Sequence, residues 1–328
     1  MLSFILRRVL MMIPTLFAVS IVTFILIQLP PGDFFTTYMQ NMASQGETVD
    51  QSQAEAFQKQ FGYGEPVYVQ YGKWIWNIVT KGDFGRSFSR GLSVTEVIGD
   101  RMWLTIALSL FALLITWAIA FPIGIFSAVR QYSILDYVFT FIGFIGLAVP
   151  SFIIALVLMY IAFKYMGQSV GGLFSPAFSD APWSMAKIGD LLSHLWIPTI
   201  IIALADTAGL IRTMRANLLD ELHKPYYTTA KAKGLSEVHA LMEYPVRVAL
   251  NPFISSLGYV LPGLVSGATI ISVVLNLPTT GPMQLQALKE QDMYLAGAFV
   301  LLLSLLTVIG TLLSDILLAI VDPRIRYQ

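Results

Sequence analysis

Cysteine is absent from this chain of 328 residues, and charged residues are scarce. Without cysteine the chain has no disulfides, no thiolate metal sites and no cysteine nucleophile, and its redox compartment stays open. Charged residues make up 12% of the chain, against roughly 25% in an ordinary soluble domain. The formal net charge is zero, which gives no electrostatic basis for nucleic acid as a partner.

Sequence signatures of nucleotide hydrolysis and of common hydrolytic sites are also missing. Gly72 and Lys73 form the only Gly-Lys pair, and they lack the upstream glycine and the following hydroxyl of a phosphate-binding loop. Neither H-E-x-x-H nor G-x-S-x-G occurs. His239 and Glu243 lie four residues apart, a spacing more typical of a solvated helix face than of a metal site. We therefore expect no catalytic residue, no metal and no cofactor in this chain.

Hydrophobic residues are abundant, at 56% of the chain. A helix crosses the hydrocarbon core of a bilayer with about 20 mostly apolar residues. Four runs are uncharged, and the run around 195–212 carries one acid, Asp206. The uncharged run 248–288 is too long for one crossing, so we read it as a helix followed by an outer loop. The sequence predicts an all-α polytopic membrane protein with spans at about residues 9–29, 102–129, 135–163, 195–212, 250–275 and 293–320.

The first apolar run follows Arg7 and Arg8, as in a signal peptide. Its length, and the absence of a small-residue cleavage site in Leu29-Pro30-Pro31-Gly32-Asp33, favour a retained helix. Placing both termini in the cytoplasm puts most lysines and arginines of the short loops inside, as the positive-inside rule requires. The inner residues are Arg7, Arg8, Arg130, Arg212, Arg215, Lys224, Lys231, Lys233, Arg247, Arg324 and Arg326, and the outer ones are Lys164, Lys187 and Lys289.

The extracytoplasmic segment, about residues 31–101, is too long for a plain connection and is expected to fold locally. Pro66 has the character of a helix start. Apolar residues then recur at helical spacing at Val67, Tyr71, Trp74, Ile75 and Ile78. This stripe suits either the membrane interface or packing against the spanning helices.

The cytoplasmic loop, about residues 213–249, reads as two short helices joined at Gly234. Pro225 interrupts the helix that leaves the membrane. Gly234 allows a turn that other residues resist, and residues 236–249 are compatible with a second helix that returns to the bilayer. Such a basic knob suits a docking element, although an ordinary inner loop has the same charge.

This loop resembles the coupling loop of ABC importer permeases, in particular the first permease subunit of the dipeptide and oligopeptide family. The pattern is close to R-x-x-R, Y-x-x-T-A-x-A-K-G-L and R-x-A-x-x-P. The matching residues are Arg212, Arg215, Tyr226, Thr229, Ala230, Ala232, Lys233, Gly234, Leu235, Arg247, Ala249 and Pro252. Weaker matches run along nearly the whole chain, and they include Gly82, Asp83, Phe84, Gly85, Arg86 and Ser87, residues 148–152, and 322–326.

The resemblance implies a type I ABC importer transmembrane fold in a bacterial or archaeal inner membrane. The expected partners are a second homologous permease subunit, two ATPase subunits that bind ATP and Mg, and an extracytoplasmic substrate-binding protein. The residues expected to contact the ATPases are Tyr226, Thr229, Ala230, Lys231, Ala232, Lys233, Gly234 and Leu235. The segment Gly82 to Ser87 is expected to face the binding protein.

Breaks within the spans are candidates for hinges or pore positions. Pro150, Ser151, Pro262 and Gly263 fit either hinges or sites of close helix packing, as do Gly143 and Gly146. Asp206 fits either a pore-lining or a structural role.

The resemblance implies transport of di- or oligopeptides, with oligosaccharides or nickel as alternatives. An ATP-independent secondary transporter or a channel is the rival class. A secondary transporter usually shows internal repeats or several ionisable residues at mid-membrane, and only Asp206 is a clear candidate here.

Overall fold

The protein, seen in a computed structural model, is described over residues 2–28, 65–87, 89–167, 171–179, 181–266, 269–290 and 292–321. Within these ranges the backbone is mainly helical, and β-pairing is limited to an isolated bridge between Arg86 and Ser93. The helices are α1 (Leu2–Gln28), α2 (Val67–Lys81), α3 (Val94–Val129), α4 (Ile134–Ala148), α5 (Ser151–Met166), α6 (Met185–Leu222), α7 (Pro225–Ala232), α8 (Glu237–Leu241), a π-helical segment (Met242–Val246), α9 (Arg247–Ala249), α10 (Asn251–Ser266), α11 (Thr269–Val274), α12 (Thr280–Lys289) and α13 (Met293–Val321).

Membrane-spanning stretches occur in the number that the sequence predicts. Five stretches are long and apolar enough to cross a bilayer, and the pair α4–α5 makes a sixth if both helices form one crossing. The five stretches are Ile5–Leu26, Val94–Val129, Met185–Leu204, Asn251–Val274 and Met293–Ile320. The prediction of an all-α membrane fold with about six spans is therefore confirmed.

The third predicted span, 135–163, contains two helices. The chain breaks at Val149 and Pro150, and the axes of the two helices meet at 101°. Pro150 has no N–H to donate, and a proline disfavours helical backbone in the residue before it. Ser151 then begins α5. The bend therefore lies at two of the predicted hinge candidates, Pro150 and Ser151.

Two helices extend beyond the spans that the sequence predicts. Helix α3 begins at Val94, ahead of the predicted span 102–129, and α6 runs from Met185 to Leu222, beyond the predicted span 195–212 on both sides. The Ser184 side chain accepts a hydrogen bond from the Lys187 N–H at 3.2 Å and so caps the start of α6. Uncharged runs locate the hydrocarbon, whereas helices continue into the polar regions on either side. The predicted cytoplasmic loop therefore starts as helix up to Leu222.

Two compact units divide the chain. The first comprises Met1–Met102 and Met283–Val308, and in its described part a buried core joins α1, α2, the start of α3 and the start of α13. Helix α2 begins at Val67, directly after Pro66, as predicted. Trp74 is buried, and Tyr71, Ile75 and Ile78 pack against the core, so these four residues of the predicted stripe serve packing, whereas Val67 is exposed. The predicted residues 31–64 lie outside the described ranges.

The second unit comprises Trp103–Pro282 and Ile309–Gln328. Within it, glycines allow helices to approach closely. A Cβ on Gly146 of α4 would lie 3.3 Å from the Leu204 carbonyl oxygen of α6, and one on Gly143 would lie 3.5 Å from Ala208 Cβ. Gly146 is therefore a position of close packing, whereas the contact at Gly143 is of ordinary length and does not require a glycine. A Cβ on Gly263 would meet no described atom within 4 Å, so close packing does not explain this glycine.

Candidate functional site

The candidate site is a helical hairpin, defined here as residues 225–249, which follows the end of α6. Pro225 is the first residue of α7, where its missing N–H costs no helical hydrogen bond. At the tip, Gly234 has φ +85°, a left-handed conformation that other residues resist. The Gly234 N–H donates to Lys231 O at 3.0 Å, and the Leu235 N–H donates to Ala230 O at 3.4 Å. These bonds close the predicted turn.

The returning arm is built from α8, the π-helical segment and α9, which follow one another without a break. Pro245 lies in the π-helical segment. It cannot donate to a carbonyl four residues earlier, and a wider π turn accommodates that missing bond. The predicted second helix over 236–249 is therefore present, with a local change of helix type that hydrophobic spacing did not reveal.

Small and apolar side chains anchor the hairpin. Val246 and Ala249 on the returning arm join a buried cluster with Met214 and Leu218 of α6. Ala240 has 0% exposure. Because close-packed interiors transmit displacement rather than absorb it, the returning arm and α6 are mechanically linked.

Polar contacts tie the two arms to each other and to α6. The Tyr226 hydroxyl donates to the Glu221 carboxylate, and the rings of Tyr226 and Tyr244 lie 6.4 Å apart. Partial burial, together with the Glu221 carboxylate, raises the pKa of the Tyr226 phenol above its ordinary value. Across the turn, Lys231 Nζ lies 3.2 Å from a Glu237 carboxylate oxygen. These contacts join the two arms to each other and to α6.

The outer surface of the hairpin combines apolar and charged side chains. Val238 and Met242 lie one helical turn apart and are 72% and 51% exposed. Of the residues predicted to contact an ATPase, Ala230 is buried and Leu235 is half-buried. The others are exposed: Tyr226, Thr229, Lys231, Ala232, Lys233 and Gly234.

An ion pair that sequence analysis missed lies near the hairpin end of α6. The Arg215 guanidinium donates to both carboxylate oxygens of Asp136, at 3.2 and 3.1 Å. The Asp136 side chain is 3% exposed, and it also accepts from the Tyr132 N–H at 3.0 Å. The only local signal for Asp136 was the N-cap of α4: Ser133 precedes this helix and accepts a hydrogen bond from the Asp136 N–H. The pair places the loop before α4 at the hairpin end of α6.

The segment Gly82 to Ser87 is a structural centre of the first unit. Gly82 ends α2 with φ +64°. A Cβ on Gly85 would lie 2.8 Å from the Tyr294 ring. Ser87 is fully buried, and its hydroxyl donates to Asp292, the residue before α13, at 2.6 Å.

Burial limits what this segment offers to a partner. Gly85 and Ser87 are buried, Asp83 and Phe84 are half-buried, and only Gly82 and Arg86 are exposed. The Arg86 guanidinium donates to Gly91 O at 2.9 and 2.6 Å. The contact of this segment with a binding protein stays a prediction. The residues exposed for such a contact are Gly82 and Arg86.

The predicted pore and hinge positions belong to three different helical elements. Pro150 and Ser151 lie at the 101° bend, and Pro262 lies inside α10, followed by Gly263. Asp206 is exposed on α6, two residues past the apolar stretch Met185–Leu204. It has no hydrogen-bond or ion-pair partner among the described residues. Both roles considered for Asp206 stay predictions.

Several helices long and apolar enough to cross a bilayer define this chain as a polytopic membrane protein. The family model described as "Binding-protein-dependent transport system inner membrane component" matches residues 120–327, and the model of the corresponding N-terminal region matches residues 1–109. The chain belongs to this family and is a multi-pass inner-membrane protein with the type I importer membrane fold.

Similarity to individual proteins extends over the whole chain. The oligopeptide transport system permease protein AppB of Bacillus subtilis is 36% identical over 328 residues, which is 100% of both chains. The oligopeptide transport system permease protein OppB of Haemophilus influenzae is 32% identical over 328 residues, again 100% of both. A putative peptide permease protein of Brucella suis is 32% identical over 329 residues and 99% of both.

Proposed function

We propose that this chain is the first permease subunit of an ABC importer for di- or oligopeptides, and that the hairpin 225–249 couples it to separate ATPase subunits. The observation that carries the proposal is the hairpin itself, which packs on α6 and exposes apolar side chains at Val238 and Met242. Exposed apolar groups rimmed by charges are typical of docking sites.

Coupling requires that force applied to the hairpin reach the membrane. The buried contacts of Val246 and Ala249 with α6, and the Tyr226–Glu221 hydrogen bond, connect the hairpin to a helix that continues into the bilayer. ATPase closure would thus move α6. ATP and Mg belong to the ATPase subunits in this proposal, and this chain contributes no catalytic residue.

Peptides are the proposed substrate because relatives matched over the full chain are named oligopeptide or peptide permeases. Oligosaccharides and nickel are the alternatives that the resemblance leaves. A second homologous permease would complete the pathway, and a binding protein would deliver substrate on the outer side. The ligand that co-purifies with the cognate binding protein discriminates among these substrates.

The coupling proposal is tested by combining Val238→Asn with Met242→Asn in the full chain. These changes remove exposed apolar groups and no buried contact, so the protein is expected to insert normally and to lose most ATPase binding in a detergent pull-down. Tyr132→Asn is the matched control. Tyr132 is 68% exposed at the same end of the unit, with φ +64°, a conformation that asparagine tolerates.

The control variant is expected to bind ATPase as wild type does. Equal binding by the double variant and wild type would remove the surface formed by Val238 and Met242 from the interface. Wild-type protein that binds no ATPase, yet moves substrate in vesicles without ATP, would instead support an ATP-independent transporter, for which the exposed Asp206 would be the first candidate.

A further inference from the structure

The outer helix α2 has three distinct faces. Placed at 100° per residue, the packed residues Tyr71, Trp74, Ile75 and Ile78 share one face. A polar face follows the sequence positions Gln70, Lys73, Asn77 and Thr80. A third face lies between these two, and it carries Tyr68, Trp76 and Val79, which are 75%, 67% and 75% exposed. The stripe that sequence analysis identified is thus not the apolar face that remains uncovered.

The depth of α2 in the membrane follows from its contacts with α1. The Tyr71 hydroxyl lies 2.7 Å from Ser20 Oγ, and the Tyr71 ring packs on Phe17 and Phe24 with centroids 6.3 and 5.4 Å away. All three α1 residues belong to the apolar stretch Ile5–Leu26. With the N-terminus in the cytoplasm, this is the outer half of the span, and Ser20 lies roughly 9 Å inward of Leu26 along the helix.

The polar face of α2 meets the end of that same span. Gln28, two residues past the apolar stretch, donates from Nε2 to Gln70 Oε1 at 3.1 Å. Lys73 Nζ lies 2.7 Å from a Glu65 carboxylate oxygen. Polar pairs therefore occur where α1 leaves the apolar region, and the aromatic contact lies below them.

We infer that α2 is a membrane-interface helix, whose face formed by Tyr68, Trp76 and Val79 is embedded in the outer leaflet at the boundary of headgroups and acyl chains. A helix that packs on the outer half of a spanning helix must present its remaining apolar face to lipid or to protein. Two exposed aromatics beside a valine suit lipid, because tyrosine and tryptophan favour this boundary. Lys73 and Asn77 then face water.

The contact of α2 with lipid attaches the first unit to the membrane at a point outside its spanning helices. Trp74 and Tyr71 bind α2 to α1 on one side, and the lipid face holds it on the other. The segment Gly82 to Ser87, which directly follows α2, is thereby held at a fixed height above the bilayer. The inference depends on the orientation of α1 and not on coupling to an ATPase or on the substrate.

Nitroxide labels on introduced cysteines test the inference, since the natural chain contains none. The variants are Trp76→Cys and Val79→Cys, with Thr80→Cys as the matched control on the polar face, in the full chain reconstituted in lipid bilayers. All three positions are exposed, and size-exclusion profiles check folding. Collision rates are measured with oxygen, which concentrates in lipid, and with a water-soluble nickel chelate.

Labels at Trp76 and Val79 are expected to collide several-fold more with oxygen than with the chelate, and the label at Thr80 is expected to show the reverse. Low collision with both reagents at Trp76 and Val79 would mean that protein covers this face, whether residues 29–64 or a partner. Chelate collision equal to that at Thr80 would mean that the face lies in water. Either result would overturn the inference.

Discussion

Asp136 and Arg215 show how one contact between distant residues defines the inner end of the second unit. The Asp136 side chain is 3% exposed and that of Arg215 is 27% exposed, and two hydrogen bonds join them. Removing one partner of such a pair leaves the other charge poorly solvated, which costs more than the pair contributes. The contact joins α4 to α6 at the level of the hairpin.

Asp136→Asn is expected to lower the free energy of unfolding in detergent by about 2 kcal/mol, because Arg215 keeps a charge without its counter-ion. Arg215→Gln alone should behave similarly. The double variant should lose less than the sum of the two, as a double-mutant cycle of unfolding measurements would reveal. Strict additivity would show that the two side chains do not interact.

Gly85 and Gly82 form a natural pair of test and control. Both have positive φ, but a Cβ on Gly85 would meet the Tyr294 ring at 2.8 Å, whereas Gly82 has open space. Gly82→Ala should therefore lower the free energy of unfolding by only about 1 kcal/mol, which is the cost of holding alanine in a left-handed backbone conformation. Gly85→Ala should cost about 3 kcal/mol, since overpacking adds to that cost. Thermal unfolding in detergent compares the two, and equal losses would exclude a steric role for Tyr294.

At the scale of elements, close helix contacts depend on glycine. A Cβ on Gly124 of α3 would lie 2.7 Å from Met214 Cβ and 3.2 Å from the Ile211 carbonyl oxygen, both on α6. Gly209, also on α6, has nothing within 4 Å of such a Cβ. The same substitution should therefore act in opposite directions at these two positions.

Gly124→Ala is expected to destabilise the isolated chain by about 2 kcal/mol through overpacking. Gly209→Ala should leave stability unchanged or raise it by up to about 1 kcal/mol, since alanine favours the helix. Resistance to thermal aggregation in detergent reports both effects. Similar destabilisation by the two variants would mean that the α3–α6 contact does not decide the outcome.

Particular elements show what sequence could and could not predict. Apolar runs predicted the number of spans, and Gly234 predicted the turn, because each depends on local chemistry. Pro150 was a hinge candidate, but the angle of the break was not predicted, since a proline within a span is compatible with a mild kink as well as a 101° bend. The Asp136–Arg215 pair was missed because its residues are 79 positions apart, and spacing within one helix carries no signal of such a contact.

At the scale of the whole molecule, the orientation of the chain sets which partners each surface can meet. Basic residues of the short loops placed the termini and the hairpin in the cytoplasm and α2 outside. The proposed ATPase contact and the proposed lipid contact of α2 therefore belong to opposite sides of the membrane. The absence of cysteine makes this arrangement directly measurable.

Thr228→Cys on the hairpin and Thr80→Cys on α2 are both at exposed positions. In intact cells a membrane-impermeant maleimide should label Thr80→Cys almost completely and Thr228→Cys hardly at all, because only the former faces outside. Permeabilised cells should label both. The natural, cysteine-free chain controls for background, and labelling of Thr228→Cys in intact cells would reverse the orientation.

Helix α6 can transmit a movement of the hairpin over a long distance. Between Pro198 and Leu222 it contains no further proline, so this length of roughly 36 Å can turn as a stiff rod. A swing of about 10° about the hairpin end would carry the Pro198 end sideways by roughly 6 Å. This sideways displacement of the Pro198 end is larger than a side-chain rearrangement and comparable to the width of a peptide backbone. A small movement at the hairpin end of α6 would therefore produce a larger movement at the Pro198 end. A gate that is driven from one side of the membrane needs this amplification.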